Sequence, residues 1–254
     1  MSAALHVEGL VTGFGERTIH DHLDLEMRRG EVLGVVGGSG TGKSVLLRAI
    51  IGLIEPRAGR IELLGTRMDE AGEETRRTVL RRTGVMFQDG ALFSSLTLRQ
   101  NVEAPMLERF PGLDPRTSAG AAELKLALAG LPPEAADLRP SEISGGMRKR
   151  AGLARALALD PEVVFLDEPT AGLDPIGASA FDALILDLKR ALGLTVFFVT
   201  HDLDSLAAIC DRVAVLADKH VVAVGTVPEL RAVGHPWIES YFGGPRGRAA
   251  FAGA

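Results

Sequence analysis

Apolar residues along this chain follow two patterns that alternate. Short apolar runs of strand length are Val32–Val36, Gly84–Phe87, Val163–Leu166, Thr195–Val199 and Arg212–Leu216. Stretches with the apolar spacing of a helix are Ser44–Leu53, Ile176–Leu192 and Leu203–Ile209. Strands that are apolar throughout and alternate with helices are typical of a mostly parallel sheet covered on both faces. The pattern therefore predicts an α/β fold.

Two segments depart from this alternation. Leu5–Met27 alternates between apolar and polar residues and contains turn signals, which predicts antiparallel strands at one edge. Between Thr97 and Leu159 alanine and leucine are abundant, above all in Ala119–Leu131 and Met147–Leu159, and no strong strand pattern occurs. This region is predicted to be a helical subdomain inserted between strands of the core.

These patterns divide the chain into four predicted parts. Residues 1–96 form the first part of the core together with the antiparallel strands, and 97–159 form the helical subdomain. Residues 160–233 complete the core. Residues 234–254 change character, with several prolines, glycines and aromatic residues, and are predicted to be a tail added to the core.

Composition narrows the class of protein. The chain has 254 residues, of which 46% are hydrophobic, which suits one α/β domain with an inserted subdomain. Its 28 basic and 33 acidic residues give a net charge of −5, which argues against nucleic acid as the main partner. The single cysteine, Cys210, excludes an internal disulfide and is predicted to be a buried structural thiol. The start lacks the pattern of a signal peptide, and the apolar runs are too short for membrane spans. We therefore expect any work at a membrane to depend on another chain.

A glycine-rich segment carries the first chemical signal. It follows the G-x-x-x-x-G-K-[ST] pattern with Gly37, Gly38, Ser39, Gly40, Thr41, Gly42, Lys43 and Ser44. Glycines let backbone N–H groups approach a nucleotide phosphate, and the N-terminus of the following helix adds partial positive charge. Lys43 is predicted to reach the β- and γ-phosphates, and the Ser44 hydroxyl to join the shell of a Mg²⁺ ion. A strand before the loop and a helix after it argue against a chance match.

Two carboxylates follow the apolar run Val163–Leu166. A buried strand delivers side chains at its carboxyl end, where open α/β sheets place their ligands. Asp167 is predicted to hold Mg²⁺, and Glu168 to polarise the attacking water as a general base. The alternative is a structural one, because acidic residues after a strand often cap the next helix.

The segment Ile143-Ser144-Gly145-Gly146-Met147, just before a predicted helix, resembles the LSGGQ signature of ATP-binding cassette (ABC) ATPases. A serine and two glycines at a helix start form an anion site. In that family the signature contacts the ATP bound by the opposite subunit, which implies this role for Ser144, Gly145 and Gly146. The resemblance covers about Leu5 to Leu230.

Four further landmarks of the ABC family occur in the expected order. Gln88 resembles the Q-loop glutamine, which implies contact with Mg²⁺ and the transport partner. Ala171-Gly172-Leu173-Asp174 resembles the D-loop of the dimer interface. His201 resembles the switch histidine at the γ-phosphate, although a lone histidine there could be a capping or surface residue. Phe14 resembles the aromatic residue that stacks on adenine, and a core phenylalanine is the alternative.

The resemblance implies a P-loop NTPase of the ABC ATPase type, with a RecA-like core, an antiparallel β edge subdomain and an inserted helical subdomain. It implies ATP and Mg²⁺ as cofactors, with Glu168, His201 and Gln88 in catalysis and Ser44, Gln88 and Asp167 near the metal. It also implies that two copies of the chain sandwich two ATP molecules.

A finer resemblance points to lipid transport. The stretch Phe87–Phe93 and Met147 look like the corresponding parts of Mla/Mce-type phospholipid transport ATPases, as do Leu216–Lys219 and the tail from Pro236. This implies integral-membrane permease subunits, a Mce-domain lipid-binding protein and, in some systems, a STAS-domain subunit. The expected location is the cytoplasmic face of the bacterial inner membrane.

Several alternatives stay open at this point. An ABC ATPase for another small-molecule cargo shares every motif through His201. An ABC protein of DNA repair or translation usually has tandem cassettes or large insertions, and a regulatory adaptor is expected to lack Lys43 or Glu168. The aromatic residues of the tail could pack on their own chain or on a neighbouring ATPase. The arginines at positions 76, 77, 81 and 82 could form a solvated helix face or contact the permease or lipid headgroups.

Overall fold

The computed structural model describes residues 3–88 and 90–251. The strands in these residues are β1 (Ala3–Phe14), β2 (Arg17–Arg28), β3 (Val32–Gly37), β4 (Ala58–Leu63), β5 (Thr66–Arg67), β6 (Thr83–Met86), β7 (Val163–Asp167), β8 (Thr195–Val199), β9 (Arg212–Ala217) and β10 (His220–Gly225). The helices are α1 (Lys43–Ile50), α2 (Glu73–Leu80), α3 (Leu98–Arg109), α4 (Pro115–Leu128), α5 (Gly145–Ala156), α6 (Pro175–Leu192), α7 (Leu203–Ile209), α8 (Val227–Arg231), α9 (Pro236–Gly243) and α10 (Pro245–Ala250). Two 3₁₀ turns lie at Pro133–Asp137 and Pro140–Glu142.

These elements form two compact units. The first unit consists of the described residues up to Leu80 and from Thr195 onward, and the second is Arg81–Leu194. The domain boundaries predicted from the sequence stay a prediction. In the parts of the chain that the structure describes, no helix is long and apolar enough to cross a membrane.

The first unit contains the predicted parallel strands. Strand β3 lies between β8 and β9 and is parallel to both, while β10 pairs antiparallel with β9. Every residue of β3 and β8 is buried, which explains why both read as continuous apolar runs. The positions predicted for β8 and α7 are confirmed, and α1 ends at Ile50 rather than Leu53, because Gly52 adopts a φ of +76°.

The antiparallel strands predicted in Leu5–Met27 are confirmed as β1 and β2, in a second sheet of order β2-β1-β4-β5. This pairing contains a bulge. Leu10 faces Leu23 and Thr12 faces His20, so β2 carries one extra residue between the two pairs, and His22 there has a φ of +51°. Because of the extra residue, the alternation of inward and outward side chains in β2 is shifted by one residue between His20 and Leu23.

The tail packs into its own unit. Ile238 and Phe242 of α9 and Phe251, directly after α10, are buried in an apolar cluster that also contains Val36 of β3. Ile238 and Phe242 therefore pack on their own chain, as the alternative of a terminal helix on its own core expects, and a contact of the tail with a neighbouring ATPase stays a prediction. Cys210, predicted to be buried, is half-buried. It packs over Gly34 of β3, where an added Cβ would lie 2.8 Å from the thiol sulfur.

The second unit contains the parallel pair β6–β7 and the predicted helical region. Helices α3, α4 and α5 enclose an apolar cluster of leucine, alanine, valine and methionine side chains. A capping box at Thr97 and Gln100 starts α3, and Asp114 caps α4. Helix α5 begins at Gly145, earlier than the Met147 or Arg148 expected from apolar spacing, because Ser144 caps it.

Candidate functional site

The glycine-rich loop connects β3 to α1 and folds around its own lysine. The Lys43 ammonium donates to the carbonyl oxygens of Gly37 (2.9 Å) and Gly38 (3.2 Å), and the Thr41 hydroxyl donates to Gly38 (2.9 Å). The first turn of α1 contains no acidic residue, so the helix N-terminus and the Lys43 ammonium give the loop positive character. The loop therefore has the charge and backbone geometry of a phosphate-binding site.

A buried histidine lies under this loop, and the sequence patterns gave no sign of it. Gly42 has a φ of +99°, and a Cβ built there would lie 2.5 Å from His20 Nε2 and from Ile19 Cγ2. His20 Nδ1 forms a 2.7 Å hydrogen bond with the Thr12 hydroxyl. Burial lowers the pKa of His20 from 6.5 to about 4, and the nearby backbone of Gly42 offsets only part of that effect. His20 is therefore a neutral packing partner of the loop near pH 7.

His201 lies at the same sheet edge as the loop. Val35 of β3 pairs with Val199 of β8, and both strands run in the same direction, so Gly37 and His201 emerge on one side. His201 is exposed, and the capping residue of α7 is its neighbour Asp202, which accepts hydrogen bonds from two backbone N–H groups. The Tyr241 hydroxyl of α9 donates to the His201 carbonyl oxygen (2.9 Å), which fixes the main chain there.

Phe14 ends β1 and is 56% exposed. The alternative of a core phenylalanine is therefore wrong. Beside the loop, a surface pocket of about 420 Å³ is lined by Gly40 and Thr41 together with Arg17 and Lys219. An exposed aromatic ring at the end of a strand is available for stacking on a planar ligand.

In the second unit, Gln88, Asp167 and Glu168 lie at one edge of the β6–β7 pair. Met86 is opposite Leu166 in a parallel register, so the residues that follow each strand emerge together. Asp167 is 4% exposed, and Glu168 adopts a φ of +50°, which is unfavourable for a residue with a side chain. Neither acid caps α6, because Asp174 does so by accepting from the Gly177 N–H (2.9 Å).

Lys149 of α5 joins these segments, and sequence reasoning missed it. Its ammonium donates to the carbonyl oxygens of Gln88 and of Glu168 (3.1 Å to the latter). Lys149 is 7% exposed. In the sequence it lies within the basic run Arg148–Arg150, which is typical of a solvated helix face. Its burial depends on the packing of α5, which no local pattern encodes.

The signature residues form the start of α5. Ser144 is exposed and its hydroxyl accepts from the Met147 N–H (3.2 Å), and Gly145 is also exposed. A Cβ added to Gly146 would lie 3.7 Å from the side chain of Leu173, so the signature and the segment before Asp174 are neighbours in one chain. The uncovered helix N-terminus can receive an anion from outside this unit.

The predicted metal ligands are oxygen donors. Ser44 belongs to the first unit, while Gln88 and Asp167 belong to the second. Hydroxyl, amide and carboxylate oxygens suit Mg²⁺. Within the described residues no group of three or more histidine, cysteine, aspartate or glutamate side chains forms a metal cluster.

Comparison with known proteins agrees with the motifs. The ABC transporter family matches residues 20–171. The "probable ribonucleotide transport ATP-binding protein mkl" of Mycobacterium leprae is 38% identical over 246 residues, 97% of this chain and 70% of that protein. The "intermembrane phospholipid transport system ATP-binding protein MlaF" of Escherichia coli K12 is 39% identical over 230 residues, 91% of this chain and 85% of that protein.

Solved structures are also similar to this chain. The ATP-binding cassette MJ0796, a dimer in a post-hydrolysis state bound to ADP and phosphate, has a TM-score of 0.79 and 27% identity, covering 87% of this chain and 97% of that one. The cbiO1 protein of Clostridium perfringens, part of an ABC transporter complex, has a TM-score of 0.79 and 28% identity, covering 97% and 93%.

Proposed function

Because the chain belongs to the ABC transporter family, as a subunit that binds and hydrolyses ATP, we propose that it powers phospholipid movement between bacterial membranes through a partner permease. The observation that supports phospholipid as the cargo is the 39% identity to MlaF, which extends over 85% of that protein. Family membership carries the nucleotide chemistry, and the residues below are the ones we assign to it.

ATP binding falls to the loop between β3 and α1. Lys43 and the loop N–H groups from Gly38 to Ser44 would hold the β- and γ-phosphates, and exposed Phe14 would stack on adenine. Ser44, Gln88 and Asp167 would hold Mg²⁺, whose chemistry is to neutralise charge on the β- and γ-phosphate oxygens. These three side chains offer the oxygen ligands that such a hard cation prefers.

Hydrolysis falls to Glu168, His201 and Gln88. Glu168 follows a buried strand and would accept a proton from the attacking water. His201 follows β8, which pairs with β3, and would contact the γ-phosphate. The hydrogen bond from Tyr241 fixes the main chain of His201. Gln88 would contact Mg²⁺ at the nucleotide and also the transport partner, and would thereby link hydrolysis to the permease.

A second copy of the chain would complete each site. Ser144 and Gly145 are exposed at the start of α5, where an anion held by another chain can reach them. Beside Asp174, Ile176 is 83% exposed, an unusual position for a large apolar side chain that a dimer interface would explain. We propose that two copies close on two ATP molecules and reopen after hydrolysis.

The permease would dock on a groove of the second unit. Val85, Phe93, Pro105 and Leu159 line it with apolar surface, and Glu108 and Arg155 add one charge of each sign. Phe93, in the stretch that looks like lipid-transport ATPases, is 55% exposed. A short amphipathic helix fits such a lining. Beyond the permease, we propose a Mce-domain lipid-binding protein and, in some assemblies, a STAS-domain subunit.

Affinity purification from gently solubilised native membranes tests this function, with mass spectrometry of the proteins and lipids that co-purify. Recovery of a permease, a Mce-domain protein and phospholipid is expected. Phe93→Glu should reduce permease recovery, whereas Leu53→Glu, an exposed apolar residue of the first unit, is the matched control and should not. Recovery of soluble partners alone would refute the transport role at the membrane.

A different cargo is the second candidate. This candidate is supported by mkl, a protein named for ribonucleotide transport, which is 38% identical over 97% of this chain. The same purification separates the two by the partner recovered, because a ribonucleotide transporter would be recovered without a Mce-domain lipid-binding protein, whereas nucleotide is expected in both cases since the chain itself binds ATP.

A further inference from the structure

Lys149 is a buried cation with a specific pair of acceptors. Its ammonium donates to the main-chain carbonyl oxygens of Gln88, just after β6, and of Glu168, just after β7. Only 7% of the residue is exposed. A buried ammonium is retained only where it is well hydrogen-bonded, because its desolvation is costly. Both acceptors belong to segments to which we assign catalysis.

The Glu168 carbonyl accepts two hydrogen bonds at a residue with an unfavourable backbone conformation. Glu168 has a φ of +50°, a conformation that a residue with a Cβ adopts only when its surroundings impose it. Its carbonyl oxygen accepts from Lys149 (3.1 Å) and from the Ala171 N–H (3.2 Å). These two bonds fix the orientation of the peptide that follows Glu168, and thereby the direction in which its side chain leaves the main chain.

Lys149 is also part of a seam along one face of α5. Gly152 and Arg155 follow it at helical spacing, and all three contact the segment after β6. A Cβ on Gly152 would lie 2.9 Å from the Gly90 Cα, and Arg155 donates to the carbonyl oxygens of Gly90 (2.9 Å) and Ala91 (2.6 Å). The segment that follows Gln88 is therefore anchored to α5, and Lys149 extends this anchor to Glu168.

We propose that Lys149 is a positioning residue that holds the main chain of Glu168 and of Gln88 in one arrangement, so that a displacement at Gln88 changes the alignment of the catalytic carboxylate. This inference rests on the proposed roles of Glu168 and Gln88. Lys149 acts through these main-chain groups and takes no part in proton transfer itself.

The test compares Lys149→Met with wild type in steady-state ATP hydrolysis and in ATP binding by calorimetry. Methionine keeps the length of the side chain and removes the charged donor. We expect kcat to fall roughly 10- to 100-fold, with the KM and Kd for ATP changed less than about threefold, because Lys43 and its loop are untouched. Lys149→Arg keeps a charged donor and should recover part of the lost kcat, though not all, because the guanidinium is larger and planar.

Lys125 provides the matched control. It is also 7% exposed, lies in the same unit on α4, and pairs with Asp160 away from the site residues. Lys125→Met should lower the melting temperature and leave kcat unchanged. A normal kcat in Lys149→Met, or a Kd for ATP that weakens as much as kcat falls, overturns the proposal. If Lys149→Met does not fold, Lys149→Arg decides by the same split between kcat and Kd.

A double-mutant cycle separates this inference from the proposed function. If Lys149 acts through the Glu168 carboxylate, Lys149→Met should add little to the loss of single-turnover rate in Glu168→Gln. Losses that multiply would show that Lys149 acts elsewhere. Normal turnover in Glu168→Gln alone would instead refute the role of Glu168, whatever Lys149→Met does.

Discussion

His20 makes the stability of the first unit depend on pH. The imidazole is fully buried, and burial lowers its pKa from 6.5 to about 4. In the unfolded chain a hydrated imidazole binds its proton near pH 6.5. Between these two values the unfolded chain binds more protons than the folded one, so the free energy of unfolding decreases as the pH falls from 6.5 to 4.

The size of this effect follows from the same pKa values. One pKa unit is worth about 1.4 kcal/mol, so the whole shift corresponds to about 3 kcal/mol, all of it lost below pH 4. Between pH 7 and pH 5 the loss is about 2 kcal/mol. Domains have a free energy of unfolding of roughly 5–15 kcal/mol, so this loss is measurable.

The chain contains its own probe for the measurement. Trp237, the single tryptophan, stacks on Tyr241 (4.5 Å between ring centroids) in the same unit as His20. We would follow urea unfolding by its fluorescence at pH 7, 6 and 5, without nucleotide, in wild type and in His20→Gln. Glutamine can bond the Thr12 hydroxyl and does not titrate. The variant should be less stable at pH 7 because it packs less well, and should lose about 2 kcal/mol less than wild type between pH 7 and pH 5.

The control is His220→Gln, which removes an exposed histidine of β10. Equal losses between pH 7 and pH 5 in wild type and His20→Gln would refute the reasoning, since the buried imidazole would then not be neutral in the folded protein.

The remaining predictions concern the loop and the carboxylate. Lys43→Ala should weaken ATP binding by on the order of 10- to 100-fold, because a charged phosphate contact is lost; an unchanged Kd by calorimetry would contradict it. Glu168→Gln should bind ATP normally, slow turnover by about 10²- to 10⁴-fold and accumulate as a dimer on size-exclusion chromatography with ATP. Normal turnover in that variant would remove its role as general base. Gly42→Ala should destabilise the unit by about 2–4 kcal/mol in urea unfolding, from left-handed strain and the clash with His20. Gly40→Ala, with a φ of +78° and open space around the added Cβ, should cost only about 1–2 kcal/mol, and equal losses would argue against that clash.

Strands with strong local signals were predicted well from the sequence. Thr195–Val199 was located correctly because five buried β-branched or aromatic residues in a row fit few other structures. Val163–Leu166 was predicted one residue short of its observed end at Asp167. Strand β4 was missed, because its residues Ala58–Arg60 are exposed and only two of its residues, Ile61 and Leu63, are buried in alternation.

His20 and Lys149, the two site residues that sequence reasoning missed, owe their burial to contacts between segments that are distant in sequence. Leu23, Leu25 and Met27 face inward in alternation, which extended backward would place Asp21 rather than His20 in the core. The bulge shifts the alternation so that His20 faces inward instead, and no residue pattern at that point predicts a bulge. Lys149 was missed for a related reason, since a lysine between two arginines reads as solvated until the helix is packed.

The division of the chain between the two units has a consequence for its synthesis on the ribosome. Strand β3 pairs with β8 and β9, so both of its neighbours are encoded more than half a chain downstream. At a translation rate of about 5–20 residues per second, roughly 10–40 s separate the appearance of β3 from that of β9. Arg81–Leu194 is continuous in sequence and can complete its contacts within that interval. Until then β3, the apolar strand that leads into the phosphate-binding loop, has both edges unpaired, and an unpaired apolar strand is prone to aggregate.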